Sequence, residues 1–295
     1  MNENPIRSEK KTVNIFASIP YQDQFWKGNL KTYKELLEHI GFKVNVLFGP
    51  ESAGVKEWQQ IPKANFNILI SPWYGQSIVE HLQELYGQPF FKFPHIPIGA
   101  NETEKFLAGV LEFARQYDTG IDYEKAQAYI KHESRAYYEE IDNLATFLLE
   151  FRYGLPNHVH VIHDAGYVVG LSKFLLHETG IVPKEQFIVD NTPDEFQQSI
   201  RMDINNTSDK KKIPLVFEPD AGQVQNIIRN ISHKGRGLII GSGWDKELAK
   251  EKQYDFLSAS VPSTYRLVLS TGYAGFYGGL RVMEDIFNVA LTTYK

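Results

Sequence analysis

The stretch Gly237-Leu-Ile-Ile-Gly-Ser-Gly-Trp-Asp-Lys-Glu247 constrains this chain most. Leu238, Ile239 and Ile240 form a short unbroken apolar run, the pattern of a strand buried on both faces. Gly241-Ser-Gly243 stops the run, and a polar helix start follows. A strand that turns through glycines into a helix brings free backbone N–H groups to the helix start, where an anion or ligand can bind. The same glycines would also allow a tight turn with no ligand role. On either reading the neighbouring elements feed one sheet.

Those neighbours alternate. Val13 to Ala17 reads as a strand, Asn29 to Ile40 as a helix and Lys43 to Phe48 as a strand. Phe66 to Ser71 is a buried strand, and the helix Ser77 to Tyr86 carries Ile78, Leu82 and Leu85 on one face. Phe90 to Phe93 is a fourth strand. Pro94 to Gly99 is a stiff loop before a helix that starts near Asn101 or Thr103. A long helix from about Tyr123 to Phe151 has Ala126, Ile130, Tyr137, Ile141, Leu144 and Leu148 at helical spacing. It would be about 42 Å long. A second alternation follows, with strands at Val159 to His163, Phe187 to Val189, Leu215 to Phe217, Leu238 to Ile240 and Phe256 to Ser260. Helices run between them, one of them with Pro193 at its first position. A last helix covers Phe276 to Tyr294. This rhythm predicts an α/β fold: two consecutive Rossmann-like domains with mostly parallel sheets, residues 1–118 and 119–295, joined by the long helix.

Composition narrows the function classes. A formal charge of -5 gives no electrostatic case for nucleic acid, and the basic run Lys210-Lys-Lys212 is too short to make one. No apolar run reaches the roughly 18 residues that a membrane helix needs. The polar start lacks an apolar signal core, so a cytoplasmic location is expected. The chain has no cysteine. Thiolate nucleophiles, disulfides and Cys-ligated zinc or iron–sulfur clusters are therefore excluded within it.

Several constellations could carry chemistry. In His158-Val-His-Val-Ile-His163, His158 and His160 face one side of a strand and His163 the other. An i, i+2 histidine pair can hold a metal, but no carboxylate is placed by sequence to complete the set, so no metal ligand is assigned. Asp164, where a strand gives way to a helix, is an N-cap or a cleft residue. Ser71-Pro-Trp-Tyr-Gly75, which includes Trp73, ends a buried strand at the ligand edge of the first sheet, or is a turn with a packing Trp. Arg266 could bind an anion or pair with a buried carboxylate, and structural pairing is the better-founded role. No phosphate-binding loop, Gly-x-Ser-x-Gly or full Gly-x-Gly-x-x-Gly is present. No catalytic residue is assigned.

The order of motifs resembles a known family. Ile70-Ser-Pro-Trp73, Tyr86-Gly-Gln-Pro89 and Pro97-Ile-Gly99 with Thr103-Glu-Lys-Phe-Leu107 resemble the middle domain of nitrogenase component 1 proteins, nearest the β-subunit type. Asp164 with Gly170-Leu-Ser-Lys-Phe-Leu175 resembles the start of their third domain. Ile240-Gly-Ser242, Ser260-Val-Pro262, Arg266 and Thr271-Gly-Tyr-Ala-Gly275 resemble their C-terminal pattern. The resemblance implies a heteromeric oxidoreductase with a homologous partner subunit. A separate iron–sulfur ATPase would deliver electrons to metal clusters or a tetrapyrrole. The family's first domain, with its bridging-cluster cysteines, has no counterpart here. The α-type cofactor cysteine falls at Ser71 and the α-type histidine at Ala274. This chain is thus expected to hold no cluster alone and to wall one side of a redox cleft, as a fragment or an N-terminally shortened member. The rival expectation is a non-catalytic two-domain module for a small anionic ligand or a tetrapyrrole. The cofactor-facing residues expected are Ser71, Trp73, Gly99, Asp164, Gly241, Ser242, Gly243 and Arg266. Pro97-Ile-Gly99 should lie beside the cleft. The N–H groups of Gly243 and Trp244 should be free to meet an anion.

Overall fold

The computed structural model describes residues 9–117, 119–151, 156–206 and 212–292, without the side chains of 145, 147–151 and 292. The expectations at Leu148, Asp118, Lys210 and Tyr294 lie outside these described residues. The first sheet holds β1 (Glu9–Phe16), β2 (Lys43–Val46), β3 (Ala64–Ile70) and β4 (Phe90–Phe93) in the order β2-β1-β3-β4. Helices α1 (Trp26–His39), the single turn α2 (Val55–Trp58) and α3 (Gln76–Tyr86) connect them. After β4 come α4 (Gly99–Ala114) and the long α5 (Tyr123–Phe151).

The second sheet holds β5 (His158–His163), β6 (Gln186–Ile188), β7 (Leu215–Phe217), β8 (Gly237–Gly241) and β9 (Asp255–Ser258), in the order β7-β6-β5-β8-β9. Its helices are α6 (Ala165–Phe174), α7 (Asp194–Asn205), α8 (Ala221–Asn230) and α9 (Lys246–Lys252), and α10 (Gly275–Thr292) closes the fold. Every pairing between these strands is parallel. Each sheet reverses its winding once, between β1 and β3 and between β5 and β8.

The apolar run of β8 sits at the centre, as its pattern demands. Leu238 and Ile240 join the large core on one face, and Ile239 joins a smaller cluster with Val224, Ile228 and Leu248 of α8 and α9 on the other. All three are fully buried, a contribution of about 1.5–3 kcal/mol for each side chain. The large core takes residues from both sheets, including Val13 and Phe66 of the first and Val159 and Val161 of the second. Helix α6 is buried along its whole length.

The two sheets are stitched at a seam. The loop before α10 lies so close to α1 that a Cβ on Gly28 would come within 2.3 Å of the Gly272 nitrogen. Tyr273 N and Ala274 N both donate to Asn29 Oδ1, at 2.8 and 3.0 Å. Gly275 N donates to Pro97 O at 2.7 Å. Gly99 has φ +75° and faces the Phe174 ring, which a Cβ would approach to 2.9 Å, so only glycine fits there. Helix α4 starts at Gly99, two residues before Asn101 and four before Thr103, the two expected starts. Pro193 precedes α7 by one residue instead of opening it. On α3 the buried residue is Val79, while Ile78 and Leu85 are more than half exposed, so the apolar face read for this helix points mostly outward.

Candidate functional site

Ligands of open α/β sheets bind beyond the carboxyl ends of the strands, where the winding reverses. Here the two reversal points open onto one cavity of about 400 Å³. Ile19, Gln22 and Asp23 follow β1, and Trp73 and Tyr74 follow β3. Ile162 to Asp164 with Tyr167 mark the end of β5, and Val189 and Asp190 that of β6. Ser242, Trp244 and Asp245 follow β8, and Ser260 and Val261 follow β9. A larger groove of about 600 Å³ runs between α4 and α5, lined by residues such as Glu104, Arg115, Lys131 and Arg135. It touches no strand end, so it is not the site that the topology marks.

The inner wall is a connected polar network. Asp23 accepts from Phe25 N at 2.7 Å, Tyr167 OH at 2.9 Å and Asn29 Nδ2 at 3.1 Å. Burial, with the nearby Asp164 charge, raises its pKa above the ordinary carboxylate range, although the Phe25 and Tyr167 hydrogen bonds and His163 pull the other way. The His163 ring stacks on Tyr167 at 4.1 Å between centroids. Its Nε2–H donates to Ala259 O at 3.0 Å, and Nδ1 lies 2.8 Å both from the Asp164 backbone N, which donates to a neutral ring, and from an Asp164 carboxylate oxygen, which accepts from a protonated one. Burial disfavours the His163 imidazolium, but the Asp164 carboxylate outweighs it and the net shift is upward. Burial likewise opposes the Asp164 anion, and His163 with two backbone N–H groups brings its pKa down. Asp164 fills both of its expected roles, since it lines the cavity and caps α6 by accepting from Tyr167 N at 3.0 Å.

The outer wall crosses from one sheet to the other. Trp73 Nε1–H donates to Asp190 Oδ2 at 3.0 Å, and the same oxygen accepts from Ala165 N at 2.9 Å. Thr192 Oγ1 holds the second Asp190 oxygen. Four carboxylates thus line the cavity, with no lysine or arginine among its described lining residues. Such a wall suits a ligand with hydrogen-bond donors and an apolar body.

The glycine turn differs from the expectation. Gly243 N donates to Pro262 O at 2.7 Å and Trp244 N to Ser242 Oγ at 3.3 Å, so neither N–H is free for an anion. Ser242 N and Oγ both bond to Asp245 Oδ2 at 2.8 Å. Gly241 lies beneath that carboxylate, and a Cβ there would come within 2.6 Å of it. Gly243 packs on Thr264. The glycines therefore make a capped turn, and only Ser242 of the three lines the cavity. Arg266 is also engaged, with Asp285 at 2.8 Å and the Tyr273 hydroxyl at 2.7 Å, and lies over the Phe25 ring. That is the structural pairing its sequence context favoured. Gly99 and Pro97 belong to the seam. Ser71 sits one layer behind, in a small adjoining pocket with Tyr74 and Tyr167.

A family model described as nitrogenase component 1 type oxidoreductase matches residues 3–291. The chain belongs to that family. Among its relatives, a light-independent protochlorophyllide reductase subunit from Gloeobacter violaceus is 30% identical over 123 residues, 41% of this chain and 23% of that protein. The corresponding subunit from Jannaschia sp. is 24% identical over 244 residues, 83% of this chain and 41% of that protein. The solved structure titled "Nitrogenase Cp1 at pH 6.5" superposes with a TM-score of 0.74 over 98% of this chain and 61% of that one, at 19% identity, which shows the fold. The chain therefore spans well under half the length of the curated relatives it matches.

Ser71, the residue expected from the resemblance at the α-type cysteine's position, is 1% exposed, and its Oγ accepts from Trp73 N at 3.2 Å. Ala274, expected from the resemblance at the α-type histidine's position, is fully buried against Asn29. Asp23, Tyr167, Asp190 and Asp245 were not foreseen as site residues. Asp245 could have been found as the carboxylate three residues after Ser242, a capping-box spacing. Asp190 could have been found because it follows β6 as Asp164 follows β5. Asp23 lies in a loop, seven residues beyond β1, and carries no such signal.

Proposed function

We propose that this chain forms one wall of a redox-cofactor cleft and a subunit interface in a nitrogenase component 1 type oxidoreductase, and holds no cluster by itself. The observation that carries the reading is the single cavity shared by the reversal points of both sheets, with Trp73, Asp164 and Ser242 on its lining. Its volume falls within the roughly 300–1,000 Å³ range of small-molecule sites. The partly apolar lining, with no lysine or arginine among its described residues, favours a ligand with an apolar body over a small anion, and a tetrapyrrole is the class in keeping with the reductase subunits that the chain resembles. Reduction takes up protons as well as electrons. Asp23 and His163, two buried groups whose pKa values are both raised, could hold protons at the wall. Electrons would come from an iron–sulfur ATPase reductase through a homologous partner subunit, all in the cytoplasm.

Tryptophan fluorescence tests the ligand, because Trp73 and Trp244 both line the cavity. Titration with protochlorophyllide should give saturable quenching that is lost in Ala221→Trp, whose new side chain fills the cavity. Quenching that does not saturate, or that persists unchanged in the variant, would overturn the tetrapyrrole reading.

A further inference from the structure

The other end of β5 carries a second constellation. His158 and His160 project from one face of the strand at its amino end, away from the cavity, as the i, i+2 pattern requires. The fold brings His233, from the loop after α8, and Glu185, from the residue before β6, to the same place. A donor atom from each of His160, Glu185 and His233 lies within 4.8 Å of the others. Glu185 Oε2 is 2.9 Å from His233 Nε2. Nitrogen and oxygen donors about 2.0–2.1 Å from a tetrahedral ion sit roughly 3.3 Å apart, so this pair need open by only a few tenths of an ångström to take an ion between them.

A second observation points to a ligand. His158 is 1% exposed and His160 is fully buried. His160 Nδ1 is 2.9 Å from Glu185 O, and a carbonyl only accepts, so Nδ1 carries the proton and Nε2 is a bare lone pair. That Nε2 and both ring nitrogens of His158 have no hydrogen-bond partner among the described residues. Buried polar groups without partners are rare and costly. The space is kept for imidazole, since a Cβ on Gly237 would come within 2.5 Å of His158 Nε2.

We infer that His160, His233 and Glu185 bind one divalent transition-metal ion of the zinc class, with His158 as the fourth donor. Imidazole with one carboxylate is the donor set for such an ion. The His158 ring lies 5.1 Å from that of His233 and 5.8 Å from that of His160, centroid to centroid. Glu185 and His233 are part-exposed and give the ion its path in. The ion ties the amino end of β5 to the loops before β6 and after α8. The inference does not rest on the cavity or on its ligand.

The test uses untagged chain stripped with a chelator and then dialysed against zinc near pH 7. Metal analysis should find one zinc per chain, and cobalt(II) in its place should give the visible band of a tetrahedral nitrogen–oxygen site. His233→Ala and Glu185→Gln alter part-exposed side chains and should fold, checked by circular dichroism. Each should weaken zinc binding by more than about tenfold, the loss seen even for outer-shell partners. His81→Ala, at an exposed position on α3, should leave binding unchanged. Substoichiometric zinc, or equal affinity in wild type and the His233→Ala/Glu185→Gln double variant, would overturn the site and leave an aromatic stack.

Discussion

At the scale of single residues, the pair His163 and Asp164 makes the site sensitive to pH. The raised His163 contributes stability below its unfolded pKa of about 6.5 and loses it as pH rises through the folded value. The lowered Asp164 contributes stability above about 3.9 and loses it as pH falls through its folded value. The pair is therefore worth most between those limits. A double-mutant cycle with His163→Gln and Asp164→Asn, read by urea unfolding, should give a larger coupling at about pH 5.5 than at about pH 8.5. Coupling independent of pH would mean that the contact carries no ionic component. Asp164 was legible because it stands where a strand pattern meets a helix pattern. Its partner within the cavity wall, Asp23, is 141 positions away, and no periodicity in the chain links them.

At the scale of elements, strand and helix positions were readable because burial imposes its period on apolar residues. What joins the elements was not. His95, before α4, bridges Glu102 at 2.8 Å and Asp203 of α7 at 3.0 Å, across a sequence separation of 108. Lys173 of α6 meets the same Asp203 at 2.6 Å and lies 3.8 Å from Glu102. Burial alone would raise the pKa of Glu102. The His95 hydrogen bond and charge, with Lys173 and Lys105, outweigh it and bring the value down to about 2. Lys173→Met leaves this buried acid pair short of a cation and should cost about 3–5 kcal/mol near pH 7. The depressed carboxylates give stability that is present above about pH 4 and lost as pH falls toward their folded values. The penalty of Lys173→Met should therefore shrink in acid, where protonation relieves the uncompensated charge. Denaturant unfolding at both pH values checks this, and an equal penalty at each would show that packing rather than charge is lost. The outward face of α3 was misread for a related reason: helical spacing shows that Ile78 and Leu85 share a side, not what that side meets.

At the scale of the whole molecule, the large core runs through both sheets and α10 packs on α1, α4 and α5. Calorimetric unfolding should then give one cooperative transition, with calorimetric and van't Hoff enthalpies in agreement. Two resolved transitions would show that the seam is weaker than the halves it joins. With no cysteine in the sequence, the purified chain should also be free of stoichiometric iron and of any iron–sulfur charge-transfer band, as metal analysis and visible spectra would show. The seam carries one more consequence, which concerns order in time. Helix α4 waits for a partner that the ribosome makes about 160 residues later. At roughly 5–20 residues per second, that is a delay of about 8–32 seconds. Through that interval the apolar side of α4 that α10 will cover stays open, so the packing around the first sheet is completed only when the last helix arrives.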